Sequence, residues 1–437
     1  MTDNKAVSSG KNIVIFSDGT GQEGGLKHEG ENKGNTNIHK IFSMLEDRTN
    51  SQVAFYDQGL GTGLRKISGS IFGTGISKNI LECYQFISDQ YQVGDRIFLF
   101  GFSRGATTVR SLAGFIALFG ILPHSRPEVA KWAYDIYKES DPETRKKAAL
   151  EFLQRNNTVY CNIEFVGVWD TVSALGVPSR SANAFGHKNP LSGTKFHDLK
   201  IPYCVHHAYH AMAIDEQRTI FKPELWETNF KGNSEPPVIP PVIPPDLRNI
   251  PMDEIDKWFN DHKATATKDI EQTVKQVWFC GVHTDVGGGY KNQGLSDIPL
   301  GWLLGMAKKH GLKTYPFHGV ELHEDVEAVM HNSRLTLGDK IAYGKGDRSW
   351  VAATYGKPTI HASVLERNGK ICPVQKTGKT NKDGAVPTAE AVYDPWILDP
   401  ERGGFKEDEY IKEPWKKWAP DSINIEHDYR SEFDGRL

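Results

Sequence analysis

The chain has 437 residues, 38% of them hydrophobic, and a formal net charge of −3. That length suits one large α/β enzyme domain or two to three smaller ones. With no long basic stretch, the charge balance argues against nucleic acid as a partner.

The five cysteines, Cys83, Cys161, Cys204, Cys280 and Cys372, form no CxxC pair. Neither a disulfide framework nor a cysteine zinc site is indicated, and reduced thiols in a cytoplasmic product are the simplest account. Met1-Thr2-Asp3-Asn4-Lys5 lacks the apolar core of a signal peptide, which leaves export open only by a route that needs no cleaved signal. The longest apolar run, Leu112 to Leu122, has 11 residues and is too short to span a bilayer. Any membrane contact is therefore expected to be peripheral.

Asn12-Ile13-Val14-Ile15-Phe16-Ser17 reads as a buried strand, stopped by Asp18-Gly19-Thr20-Gly21. Asn35-Thr36-Asn37 opens a short helix running to about Leu45. Gln52 to Tyr56 is the next strand, followed by the glycine-rich Gly59-Leu60-Gly61-Thr62-Gly63 and a helix from about Ile76 to Tyr91. Arg96-Ile97-Phe98-Leu99-Phe100 is the third strand. It runs into Gly101-Phe102-Ser103-Arg104-Gly105, and apolar residues at helical spacing follow from Ala106 to Leu122. A GxSxG between a strand and a helix is the context of a nucleophile elbow, where glycines allow a sharp turn that lifts the serine hydroxyl above the sheet.

Residues 128–156 read as a polar helical excursion. Ile163 to Trp169 is a fourth strand that ends at Asp170, and Tyr203 to Asp215 is expected to be helical. Pro236 to Pro245 repeats a Pro-Pro-Val-Ile unit and reads as a polyproline-II spacer in an insertion of about residues 230–270. Val274 to Val282 is a fifth strand ending at His283, and a helix is expected from Ser296 to Lys309. Strands alternating with helices argue for an α/β fold, a mostly parallel sheet with helices on both faces plus inserted helices and flaps. The catalytic domain is expected over 11–368. The polar tail of 369–437, carrying Trp396, Trp415 and Trp418, is expected to pack on its body.

A serine hydroxyl needs a base, and the base needs an acid to orient it. Asp170 and His283 both stand at predicted strand ends, and the order Ser103, Asp170, His283 is the one expected of α/β-hydrolases. Asp170 could instead cap a helix through Thr171, and His283 could be a hydrogen-bonded core histidine. His361 is the rival base and Asp285 the rival acid. His283 is preferred because a strand end followed by glycines carries a side chain over the serine turn. The oxyanion donors expected are the backbone N–H of Arg104, at the helix N-terminus, and that of Gly19 or Thr20 after the first strand.

Other signals are weaker. Phe16 occupies the position where a DxDGT phosphatase needs its nucleophilic aspartate, Gly59-Leu60-Gly61-Thr62-Gly63 lacks the GxGxxG spacing, and no GxxxxGK[ST] is present. His206 and His210 would share a helix face but lack a third ligand at a telling spacing. His323-Glu324 is followed by Glu327 where HExxH needs histidine. Asp18, Asp170, His283 and Asp285 could together hold a divalent cation, which would make the chain a metal-dependent phosphoesterase. That reading leaves the serine turn without a role. A noncatalytic hydrolase-like binding module has no residue pattern of its own.

Six segments in order sharpen the reading. They are Phe16-Ser17-Asp18-Gly19-Thr20, Tyr56 to Gly63, Gly101 to Ala106, Val168-Trp169-Asp170-Thr171-Val172, Ile214 to Arg218 with Pro223-Glu224-Leu225-Trp226, and Gly281 to Tyr290. Between Lys11 and Arg367 the chain resembles the α/β-hydrolase family that includes the catalytic domain of type VI secretion phospholipase effectors. The resemblance implies hydrolysis of glycerophospholipid acyl esters by a Ser103–Asp170–His283 triad, with no cofactor. Leu60, Leu64, Ile67, Ile71 and Phe72 could form an apolar rim for such a substrate or pack beneath their loop. The polar tail after Gly369 and the Pro236–Pro245 spacer depart from the effectors, which often carry a further membrane-engaging region. The sequence specifies no oligomeric state.

Overall fold

The apolar runs at Asn12–Ser17 and Arg96–Phe102 become neighbouring strands of one parallel sheet, buried on both faces. The computed structural model describes residues 10–19, 34–59, 69–124, 126–172, 201–226, 272–315, 320–334, 345–346, 348–350, 355–376, 387–398 and 424–427. The strands of this sheet are β1 (Asn12–Ser17), β2 (Gln52–Asp57), β3 (Arg96–Phe102), β4 (Ile163–Trp169), β5 (Val205–Ala213), β6 (Thr273–Phe279), β7 (Thr359–His361) and β10 (Asn424–Glu426). Their order across the sheet is 10-7-6-5-4-3-1-2, and every pair is parallel. β8 (Ile371–Gln375) and β9 (Thr388–Val392) form a separate antiparallel ribbon.

Successive strand residues point to opposite faces, so each apolar run feeds two cores. Ile13, Ile15, Ile97 and Leu99 join one core with Ile80 and Tyr84 of α2 (Gly69–Gln90) and Val109, Leu112 and Phe115 of α3 (Arg104–Phe119). α4 (Pro127–Tyr137) and α5 (Pro142–Arg155) close that layer through Tyr134 and Phe152. The polar excursion of 128–156 is thus two helices, each with one buried face. Val14, Phe16, Phe98 and Phe100 join the second core with Ile38 and Ile41 of α1 (Asn37–Met44) and Leu300 and Leu303 of a later helix, Gly294–Lys309. That helix is α7. The five-residue α6 (His283–Gly287) precedes it and α8 (Ala362–Arg367) follows it.

One expected element changes type. Within Tyr203 to Asp215 the chain forms not a helix but the strand β5, Val205–Ala213, held between β4 and β6 in the middle of the sheet. A continuous run without glycine or proline does not separate a buried strand from a buried helix by periodicity, and the sheet's two flanking strands decide it. His206 and His210 therefore stand about 13 Å apart along a strand rather than one helical turn apart. His210 is buried and accepts a hydrogen bond from Thr171 N at 3.0 Å.

The strand expected over Val274–Val282 ends at Phe279, so His283 opens α6 rather than closing a strand. Trp396 is buried, and its indole Nε1–H donates to the Ile214 carbonyl at 2.8 Å. Asn424–Glu426 adds the sheet's last strand beside β7. Thr20, Pro236 to Pro245, Trp415, Trp418, Leu60, Leu64 and Ile67 lie outside the described residues, as do the side chains of Ile71 and Phe72. The five cysteines are all free and buried.

Candidate active site

β3 ends at Phe102, α3 begins at Arg104, and Ser103 makes the whole turn with φ 56° and ψ −120°. This is backbone that L-residues adopt only when the surroundings enforce it. Here Ser103 N donates to Trp169 O at 3.0 Å, which ties the turn to the end of β4. The two motif glycines are dictated by close approach. A Cβ on Gly101 would lie 2.6 Å from Ala106 Cα, and one on Gly105 would lie 2.0 Å from the Ser17 carbonyl oxygen. Ser103 is buried to 7% exposure with α3's N-terminus directly after it.

Gly19 lies against the same turn, since a Cβ there would meet Ser103 Cβ at 3.5 Å. Its N–H donates to Asp18 Oδ1 at 2.7 Å. Of the expected oxyanion donors, the Arg104 N–H is therefore the one carried by the helix terminus, and Gly19's is committed to its neighbour.

Asp170 follows β4 at φ 39° with no exposed surface. Its Oδ2 lies 2.5 Å from His283 Nδ1, and its Oδ1 accepts from Ala213 N at 3.0 Å. Arg348 closes on the same carboxylate, Nη1 to Oδ1 at 2.5 Å and Nη2 to Oδ2 at 2.8 Å. The guanidinium also donates to the Ala213 and Phe221 carbonyls, both at 2.7 Å. Burial works to raise the Asp170 carboxyl, but the Arg348 charge and hydrogen bonds, helped by His283, outweigh it and hold the group well below the usual carboxylate range.

His283 is 4% exposed, and its ring packs against Phe102 and Phe221 at centroid distances of 4.7 and 4.9 Å. Its backbone N–H donates to Glu216 Oε2 at 3.3 Å. Burial lowers the imidazole below its ordinary value against the pull of Asp170, which keeps the ring neutral near pH 7. With Nδ1–H directed at a permanent anion, the tautomer is set and Nε2 is the basic nitrogen.

The rival residues are employed elsewhere. Asp285 Oδ1 is 2.5 Å from His331 Nδ1, while its Oδ2 accepts from the backbone of Val282 and His331. It serves a second Asp–His pair and not His283. His361 caps α8, with Nδ1 2.9 Å from Ser363 Oγ and its ring stacked on Phe279. Asp18 accepts from Thr36 Oγ1 and Tyr56 Oη, both at 2.6 Å, and burial raises its carboxyl to about 6 against those hydrogen bonds.

Asp18, Asp170, His283 and Asp285 therefore do not converge on one cation. Among the described residues, the one trio of His, Cys, Asp or Glu whose ligand atoms all lie within 4.8 Å is Glu164, His207 and His310.

Sequence reasoning missed Arg348 and Glu216. Arg348 sits in a polar stretch without a motif, and the folded chain alone brings it to Asp170, 178 positions away. Glu216 had a signal, because it stands just past a strand end in the Ile214–Arg218 segment. Burial works to raise its carboxyl, but Arg218, donating to it from N, Nε and Nη2, holds it below its ordinary value.

An all-parallel sheet with helices on both faces and a serine at the β3–α3 turn defines an α/β-hydrolase-like protein. Residues 11–306 match the model of the type VI secretion phospholipase effector Tle1-like catalytic domain. The chain belongs to that family, a family of phospholipase-type hydrolases.

An uncharacterized protein of Saccharomyces cerevisiae is 25% identical over 417 residues, covering 71% of this chain and 58% of its own length. Two solved structures are similar at 15% identity. One is an uncharacterized protein from Pseudomonas aeruginosa, with a TM-score of 0.39 over 70% of this chain and 46% of that one. The other is a Tle1 effector bound to the VgrG spike of the type 6 secretion system, with a TM-score of 0.31 over 65% of this chain and 52% of that one. The chain thus spans less than two thirds of each of these relatives.

Proposed function

We propose that this chain is a serine hydrolase that cleaves carboxylic esters of phospholipids. The observation that carries the reading is the 2.5 Å contact between Asp170 Oδ2 and His283 Nδ1, buried beside the serine turn. Ser103 Oγ attacks the ester carbonyl carbon while His283 Nε2 takes its proton. The carbonyl oxygen gains the charge and is met by the Arg104 N–H at the positive end of α3. Collapse breaks the acyl C–O bond, and His283 returns the proton to the leaving alcohol. Water, deprotonated by the same imidazole, then hydrolyses the acyl-serine to a free acid. Asp170 keeps the ring oriented and stabilises the imidazolium throughout.

Membership of a phospholipase-effector family supports a lipid ester as substrate. Approach to the lipid is proposed to be peripheral, since among the described residues no helix is long and apolar enough to cross a membrane.

Labelling with a fluorophosphonate probe tests the reading, wild type beside Ser103→Ala, with and without EDTA. The expected result is labelling that needs Ser103 and ignores EDTA, with kcat on phospholipid esters falling on the order of 10⁴-fold in the variant. Ester hydrolysis that survives Ser103→Ala at near wild-type rate, or that EDTA abolishes in protein that stays folded, rejects the assignment.

A further inference from the structure

The sheet has a second cluster of titratable side chains, at the edge opposite the proposed catalytic residues. Glu164 lies at the start of β4, and Asp170 follows the end of the same strand, about 20 Å away at strand rise. His207 sits beside it on β5, where Phe165 pairs with His207. His310 caps the C-terminus of α7.

We infer that Glu164, His207 and His310 form a site for zinc or a related imidazole-binding transition metal. One ligand atom from each lies within 4.8 Å of the other two. His207 Nε2 is 4.0 Å from Glu164 Oε1, and the His207 and His310 rings stack at 3.6 Å. Donors around a tetrahedral ion with bonds near 2.1 Å lie roughly 3.4 Å apart and hold their imidazole centroids roughly 5 Å apart, so metal binding requires the two stacked rings to part by roughly 1.5 Å and fan open. His206 Nδ1 stands 3.7 Å from Glu164 Oε2, on the other oxygen of the same carboxylate.

One further feature supports this site. Behind His310, the Tyr209 hydroxyl lies 3.0 Å from Nε2, where it can accept that N–H and leave Nδ1 to the metal. Metal-binding histidines are commonly oriented by such an outer partner.

The donor chemistry selects the ion. Two imidazoles and one carboxylate suit zinc, copper or nickel. Calcium and magnesium need more oxygen ligands than the cluster holds. A metal here would clip β4, β5 and α7 together and take no part in the chemistry at Ser103.

The test uses the full chain without an affinity tag, stripped with chelator and titrated with zinc, calcium or magnesium. Metal per chain and thermal midpoint are the readouts. One zinc per chain with a raised midpoint is expected, with no such rise for calcium or magnesium. His207→Ala, His310→Ala and the near-isosteric Glu164→Gln should each weaken zinc binding at least about tenfold, and Tyr209→Phe about 10- to 100-fold. His323→Ala, at an exposed position, should change nothing. Stoichiometric zinc binding that persists in His207→Ala/His310→Ala, or failure of the folded wild type to hold one zinc, overturns the site.

Discussion

Arg348 neutralises a carboxylate that the proposed mechanism also uses to steady an imidazolium. Both of its terminal nitrogens reach Asp170, with side-chain exposures of 2% and 0%. Removing one partner of a buried pair leaves the other charge uncompensated, so Arg348→Met should destabilise the fold by about 3–5 kcal/mol, measured by denaturant unfolding. It also frees the full Asp170 charge to act on His283. The acid limb of kcat/KM should then move to higher pH than in wild type, and an unmoved limb would assign Arg348 a purely structural role. In wild type, burial lowers His283, so that limb should have its midpoint below the ordinary 6.5, activity being lost as pH falls through it. Asp170→Asn should carry a similar stability cost, because it leaves the buried Arg348 charge unpaired. In the protein that folds, kcat should fall on the order of 10⁴-fold, because the imidazole loses the acceptor that sets its tautomer.

The strand–turn–helix unit is the element on which this site depends. Its sequence reads correctly because every requirement is local. An apolar strand stops, glycines flank the turn two residues either side of the serine, and a helix follows at regular spacing. Gly105→Ala would drive a Cβ to 2.0 Å from the Ser17 carbonyl oxygen, a backbone atom that cannot swing aside. We expect a loss of at least about 3 kcal/mol or no soluble product, read by thermal melting against wild type.

Elements whose identity is not local read less well. β5 lies in a stretch whose alanines and histidines carry no decisive period, and it is a strand because β4 and β6 supply its hydrogen bonds. β7 and β10, three residues each, are too short to carry a pattern and exist through pairing.

Across the whole molecule, the order 2-1-3-4-5-6-7-10 puts the switch of direction between β1 and β3, where the Gly19 and Ser103 turns meet. That placement buries Asp18 beneath the site, and its raised carboxyl makes stability depend on pH. The folded value of about 6 exceeds the ordinary 3.8, so the stability Asp18 contributes is present at low pH and lost as pH rises through about 6. Asp18→Asn removes this dependence. Its stability relative to wild type should rise between pH 4 and pH 7 by up to about 3 kcal/mol, followed by urea unfolding at each pH. A pH-independent difference would mean that Asp18 is ionised in the fold.

The sequence by itself determined the parallel α/β class, the serine turn, and the position of Asp170 at a strand end, whereas His283 lies at the start of α6, four residues past the end of β6. These follow from side-chain periodicity and glycine spacing within a few residues, which the backbone reads directly. Which acid meets which imidazole was decided by the tertiary structure. Asp170 takes His283 from 113 positions away and Asp285 takes His331 from 46, while Arg348 crosses 178 to join the first pair. Four titratable groups near strand ends permit several pairings of similar chemistry. Only the strand order and the packing of Phe102 and Phe221 around one ring set the distances that select among them.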